Sequence, residues 1–190
     1  MRSIANAVLI SIVLLYSVSA FAAKETYRAQ LRLATHRGQA YDANTWDAKI
    51  IWYATFVNDV FRRAFAKKYA EVNHMGPLEA AQWMEDQQSL QQRQWNVFIS
   101  MFTKKDYKKF SLDSDTFWEI YMTTANSEAV WPTSIEQVPI TPLVQVLYPH
   151  INRWSKLYMV TFPKVPVGEE LSLTLQSVVG ESQLKWTKPN

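Results

Sequence analysis

The chain has no cysteine among its 190 residues. That excludes disulfides, thiolate metal sites and lipid attachment at a processed cysteine. Glycine is nearly as scarce. Gly38, Gly76, Gly168 and Gly180 lie far apart, so neither a glycine-rich phosphate loop, a dinucleotide fingerprint nor a Gly-x-Ser-x-Gly nucleophile elbow can be assembled from them. No Asn-x-Ser/Thr acceptor occurs. An excess of one charge is missing too: 20 basic side chains face 17 acidic ones, a formal net charge of +3. Nucleic acid is therefore not an expected partner, because phosphate binding needs a concentrated basic face.

What is present is apolar. Hydrophobic residues make up 48% of the chain and aromatics 14%, ample for a packed core in one domain. The first residues read as an export signal: Arg2 supplies charge, residues 7–16 form an apolar run, and Ala20-Phe21-Ala22 fits a small-x-small cleavage pattern. Cleavage after Ala22 would leave a single α+β domain over residues 23–190, with 19 basic against 17 acidic side chains. The rival reading is a retained anchor, since residues 4–23 are long enough to cross a bilayer. Asn6, Ser11, Ser17 and Ser19 dilute that span below typical membrane hydrophobicity. An exported chain without cysteine or glycosylation acceptors points to the bacterial envelope, periplasmic or secreted.

The longest helical periodicity is expected over residues 45–73. There Trp46, Ile50, Tyr53, Val57, Val60, Phe61 and Ala64 recur at three- and four-residue steps, with Asp42, Asn44 or Thr45 as N-cap and Gly76 as the positive-φ stop. Before it, residues 27–33 alternate as a strand, Tyr27, Ala29, Leu31 and Leu33 on one face. Pro77 starts a second, surface helix with a narrow stripe of Leu78, Ala81 and Met84 and a polar run over residues 85–94. Residues 95–103 fit either period, and their bulky composition favours a strand.

The remainder reads as β. A strand with apolar residues on both faces is expected at 117–123. Pro132, Pro139, Pro142 and Pro149 then allow only an edge strand and a crossover. Another strand follows at 156–162, and a hairpin is built on Leu171, Leu173 and Leu175 before residues 179–182 and Leu184 and Trp186 after them. The expected fold is thus an antiparallel β-sandwich, in the manner of an immunoglobulin domain, with a two-helix insertion at about 45–94 after the first strand. The runner-up packs the helices on a single open sheet.

Chemistry is harder to find. His36, His74 and His150 each fall in a predicted turn without a second ligand at helical spacing, so no metal or cofactor is implied. Asp113-Ser114-Asp115 starts like a calcium loop, yet Trp118 stands where that loop needs glycine and Thr124 where it needs glutamate. The cluster Lys104, Lys105, Lys108 and Lys109 reads as a solvated loop, with peripheral membrane contact as the lesser reading. Paired carboxylates cannot be singled out.

Two surfaces remain as candidates. Trp52, Phe56, Asp59 and Arg63 fall off the main helical stripe and form an apolar patch edged by charge, the composition of a contact with an envelope protein partner. The bland reading packs Trp52 and Phe56 beneath the second helix. Arg153 and Trp154, in an apparent loop, form the ligand-binding candidate, with carbohydrate as the ligand class. The functional expectation is an exported, non-catalytic protein that binds or helps to assemble another protein. The alternative is a carbohydrate- or small-ligand-binding module, and a hydrolase with dispersed carboxylates ranks last.

Overall fold

A computed structural model describes residues 27–41, 48–103, 111–112, 117–124, 128–178 and 180–187. The export signal, Trp46 and the expected caps at 42–45, the lysine cluster and Asp113-Ser114-Asp115 all lie outside the described residues. The fold is mixed α+β with two antiparallel sheets. In the first, the strand order is β1 (Thr35–Tyr41), β2 (Ala48–Phe56), β3 (Gln94–Thr103), β7 (Lys156–Pro163), β6 (Ser134–Val138). In the second it is β5 (Ala129–Val130), β4 (Glu119–Thr123), β8 (Glu170–Ser177), β9 (Gly180–Thr187).

The sheets face one another across a single apolar layer. Ile50, Trp52, Ala54 and Phe56 from β2 and Val97, Ile99 and Met101 from β3 meet Ile120, Met122, Leu171, Leu173, Leu175, Leu184 and Trp186 from the second sheet. A second core lies on the other face of the five-stranded sheet. There Phe98 and Leu157 pack against Tyr27, Leu31 and Ala34 of helix α1 (residues 27–34), Val57 and Phe61 at the start of α2 (Asp59–Val72), and Leu147 and Tyr148 around the end of α4 (Pro142–Leu147). Because β3 is buried on both faces, its sequence is apolar in both phases, which is why periodicity alone left it ambiguous.

Several expectations are corrected. Residues 27–33 are helix, not strand: Tyr27, Leu31 and Ala34 are the buried set at steps of four and three, and Leu33 is 68% exposed. A seven-residue window carries too few positions to separate the two periods.

The expected helix over 45–73 is a strand followed by a helix. Ile50, Trp52, Ala54 and Phe56 alternate inward along β2, and the helix begins only after Asn58, whose Oδ1 accepts from the Phe61 backbone N–H at 2.8 Å. Helix α3 (Pro77–Arg93) does start at its proline. The helical insertion therefore follows the second strand and spans 59–93, not 45–94 after the first. The stop is also different: His74 holds the positive φ of 53°, and Gly76 sits at φ −66° as N-cap of α3.

Finally, Leu78, Ala81 and Met84 are exposed on α3 and form no buried stripe. Its inward residues are Trp83, stacked on Tyr69 at 4.6 Å, and the buried Gln87 and Gln91.

The proline-rich stretch resolves as expected at its edge: β6 pairs only with β7, and Pro142 opens α4, with Thr141 Oγ1 accepting from the Val144 N–H. Residues 171–187 form the expected hairpin, Leu171 opposite Trp186 and Leu173 opposite Leu184. Its turn is tighter than 179–182, because Ser177 already pairs with Gly180, which takes φ 149°.

The two sheets are tied along one side. Gly38 of β1 lies opposite Trp52 of β2, and the Trp52 indole donates from Nε1 to Ser182 Oγ of β9 at 3.0 Å. Nearby, Trp186 Nε1 donates to the Ala34 carbonyl at 3.0 Å, and His36 stacks on the Trp186 ring at 4.8 Å. A methyl group at Gly38 would lie 2.2 Å from Trp52 Nε1 and 2.7 Å from Ser182 Oγ. Gly38→Ala should therefore destabilise the fold by roughly 2–3 kcal/mol through overpacking. Gly76→Ala, which meets no atom within 4 Å, should cost below about 1 kcal/mol. Urea unfolding of both variants checks the difference.

A second prediction concerns alkali. The Tyr27 hydroxyl donates to the Leu147 carbonyl at 2.6 Å, and burial pushes the Tyr27 and Tyr148 phenols above their ordinary pKa of 10. Unfolded, these groups release their protons near pH 10, while folded they retain them. Their contribution to stability is thus complete below pH 10 and lost as pH rises beyond it. Tyr27→Phe should lower stability at neutral pH by about 1 kcal/mol and flatten the alkaline decline. Unfolding free energies measured on both sides of the phenol titration test both effects.

Candidate functional site

Helices α2 and α3 are joined by Asn73, His74, Met75 and Gly76 and pack side by side. Between them lies an open cleft of about 260 Å³, lined by Asp59, Arg62, Arg63 and Ala66 from α2 and by Met84, Gln87, Gln88, Gln91 and Gln92 from α3. Gln87 and Gln91, four apart, lie one above the other on the buried face of α3, and Gln88 and Gln92 form the exposed row beside them, so amides make up most of the α3 side of the cleft.

On the wall of the cleft sits a buried cation. Arg62 is 5% exposed, and its guanidinium donates from Nε to Gln91 Oε1 at 2.7 Å, from Nη1 to Gln87 Oε1 at 3.1 Å and from Nη2 to Asn96 Oδ1 at 2.7 Å. Every acceptor is a neutral amide. Among the described residues no carboxylate comes within 4.0 Å of this guanidinium. Burial lowers the Arg62 pKa from 12.5 to about 10, an effect that Tyr148 and Asp59 partly offset. The side chain remains charged at neutral pH.

Asn96 secures the arrangement to the sheet. Its Nδ2 donates to Thr161 Oγ1 of β7 at 3.1 Å, so the chain Arg62, Asn96, Thr161 runs from α2 through β3 to the next strand. A second cation shares the same field. Lys164 Nζ lies 3.1 Å from the centroid of the Trp95 ring. Burial lowers its pKa, Asp59 raises it and Arg62 lowers it further. Trp95 Nε1 in turn donates to the Val165 carbonyl at 2.9 Å, holding that loop in place.

The candidates read from sequence separate in space. Asp59 and Arg63 are exposed and line the cleft. Trp52 and Phe56 are 0% and 1% exposed inside the inter-sheet core, so they are withdrawn as a contact surface. They point inward because 48–56 is a strand whose even positions face the second sheet. They do not pack beneath the second helix either.

Arg153 and Trp154 occupy the turn between α4 and β7. Trp154 is 59% exposed, Arg153 Cζ lies 4.7 Å from its ring centroid, and the Trp154 N–H donates to Asn152 Oδ1 at 2.8 Å. Arg62, Gln87, Gln91 and Asn96 went unnoticed in the sequence. The glutamine spacing within the polar run at 85–94 was the signal that could have found two of them.

Among the described residues, no three histidine or carboxylate side chains converge to hold a metal ion, and no helix is long and apolar enough to cross a membrane. No protein-family model matches the chain, and neither a curated protein nor a solved structure matches it.

A buried guanidinium bonded to three amide oxygens cannot be removed without orphaning Gln87 Oε1 and Gln91 Oε1, while Asn96 Oδ1 keeps a long bond from Gln94 Nε2 at 3.4 Å. Arg62→Met should destabilise the fold by roughly 2–4 kcal/mol. Arg63→Met, on an exposed neighbour, should stay within about 0.5 kcal/mol of wild type. Denaturant unfolding measures both.

Proposed function

We propose that this chain is an exported, non-catalytic protein that binds a protein of the bacterial envelope, and that its recognition site is the α2–α3 cleft. The observation that carries this reading is the open cleft walled by a rigidly held, buried Arg62. Fixed arginines in desolvated pockets are the groups around which binding energy concentrates. A volume of about 260 Å³ suits one anchor side chain or a chain terminus of a partner, with the flanking helix surfaces as rim.

The lining also favours binding over turnover. Among the described residues it holds no serine, threonine, histidine, tyrosine or lysine, and Arg62 keeps its proton near neutral pH, so no nucleophile stands beside a general base there. The sandwich is taken as immunoglobulin-like in one respect, that a stiff two-sheet frame holds out a separate recognition element.

Gln88 lines the cleft and is exposed, so Gln88→Trp should fill it without touching the core. With the mature chain as bait for native envelope extract, wild type should retain a partner that Gln88→Trp loses at an unchanged melting temperature. Equal retention by both would place recognition elsewhere.

The alternative, a carbohydrate-binding module using Arg153 and Trp154, draws on the exposed Trp154 ring. Quenching of tryptophan fluorescence by cell-wall fragments, abolished by Trp154→Ala, would favour it.

A further inference from the structure

We propose that the group the α2–α3 cleft recognises is an oxyanion, a carboxylate or phosphate carried by the ligand, and that Arg62 is the residue that holds it. This rests on the reading that the cleft is the recognition site. A guanidinium has five N–H donors, and three are used by Gln91, Gln87 and Asn96. One N–H on each terminal nitrogen is left without an acceptor among the described residues.

The adjoining amide is also incomplete. Gln91 is 6% exposed, its Oε1 is committed to Arg62, and its Nε2 has no hydrogen-bond partner. Buried donors without acceptors are rare in folded proteins. Here the unused donors belong to two touching side chains, both of which line the cleft.

The charge balance leads to the same ligand. Arg62 and Arg63 line the cleft with Asp59 as the sole carboxylate among its described lining residues. Amide oxygens satisfy hydrogen bonds but carry no counter-charge, and Asp59 offsets the desolvation of the cation only in part. Water entering the cleft would satisfy donors and leave the charge. An oxyanion does both, through more than one oxygen.

The competing account makes Arg62 a staple between α2 and β3 through Asn96. That account uses the three existing bonds and explains neither the idle Gln91 Nε2 nor why no carboxylate among the described residues bonds the guanidinium.

The test follows the Arg62 Nε–H and the Gln91 side-chain amide by NMR in the mature chain at neutral pH. Sodium acetate and sodium phosphate are titrated separately, against sodium chloride at matched ionic strength. Saturable shifts of both resonances with acetate or phosphate, absent with chloride, are expected. Whichever anion saturates names the source as carboxylate or phosphate. Shifts that never saturate, or that chloride reproduces, overturn the proposal.

A second variant guards against loss of fold. Gln91→Glu places a carboxylate where Oε1 already meets Arg62 Nε at 2.7 Å. Without any added anion it should melt several degrees higher than wild type, and the added anions should no longer shift the Arg62 Nε–H. A lower melting temperature, or anion binding as strong as in wild type, would show that no counter-charge is wanted. If neither anion saturates while Gln88→Trp still loses its partner, the oxyanion is wrong and the cleft reading stands. If an anion binds while Gln88→Trp keeps its partner, the oxyanion stands and the partner binds elsewhere.

Discussion

The placing of the Trp52 indole against the bare backbone of Gly38 is the constraint on which the two-sheet arrangement rests. With no side chain on β1 at that position, the ring can lie across its neighbouring strand and reach Ser182 on β9. One side chain thereby fixes the β1–β2 register and the approach of the second sheet. Trp186 makes the reciprocal tie, from β9 to the carbonyl of Ala34 at the junction of α1 and β1. Two tryptophans, each with its N–H satisfied, thus close the side of the sandwich where β1 and β9 meet. Their donors need those partners, because an indole N–H buried without an acceptor would offset much of what the ring gains by burial.

The outer helical layer is held differently at its two ends. Close to the sheet, Phe61 and Val57 bury in the second core, and Arg62 bonds to Asn96. Farther out, α2 and α3 meet through the Tyr69–Trp83 stack. Between these contacts the facing surface combines amides and charge with Ala66 and Met84. A pair of helices meant only to cover a sheet would gain more from apolar residues at Gln87 and Gln91, since about 25 cal/mol is obtained per Å² of apolar surface buried. Glutamine at both positions sacrifices that term, and what it secures is the position of one guanidinium.

Much of the β framework was legible in the sequence. The hairpin of β8 and β9 declared itself by strict alternation, β6 by its prolines, and β3 by bulk once its double burial is recognised. The misreading of β2 has a physical cause. Ile50, Tyr53, Val57 and Phe61 satisfy a helical period, while Ile50, Trp52, Ala54 and Phe56 satisfy a strand period over the same residues, and only tertiary partners choose between them. Asn58, followed by Asp59, was the local arbiter, a helix start placed mid-stretch.

The candidate site was half visible for the same reason. Asp59 and Arg63 were found as the charged edge of an apolar patch, and the patch itself, Trp52 and Phe56, belongs to the core. Arg62, between Phe61 and Arg63, gave no sign of burial, since nothing in one dimension brings Gln87, Gln91 and Asn96 to it.

That convergence follows from where the helices enter the chain. Strands β2 and β3 are direct neighbours, with Phe56 opposite Val97 and the Val57 N–H bonded to the Asn96 carbonyl at 2.9 Å. A short turn would suffice to join them. Instead the helical pair is inserted, with two residues between β2 and α2 and none between α3 and β3. Ladder bonds therefore clamp both feet of the pair at a fixed spacing. The first turn of α2 and the last turns of α3 must stand over the start of β3, which is where Arg62, Gln87, Gln91 and Asn96 meet. Side chains anchored at such a root need little reordering to receive a ligand, and pre-organised groups lose less entropy on binding than groups gathered from loops. The placement of the insertion, more than the chemistry of any single residue in it, is what makes a buried arginine a candidate site.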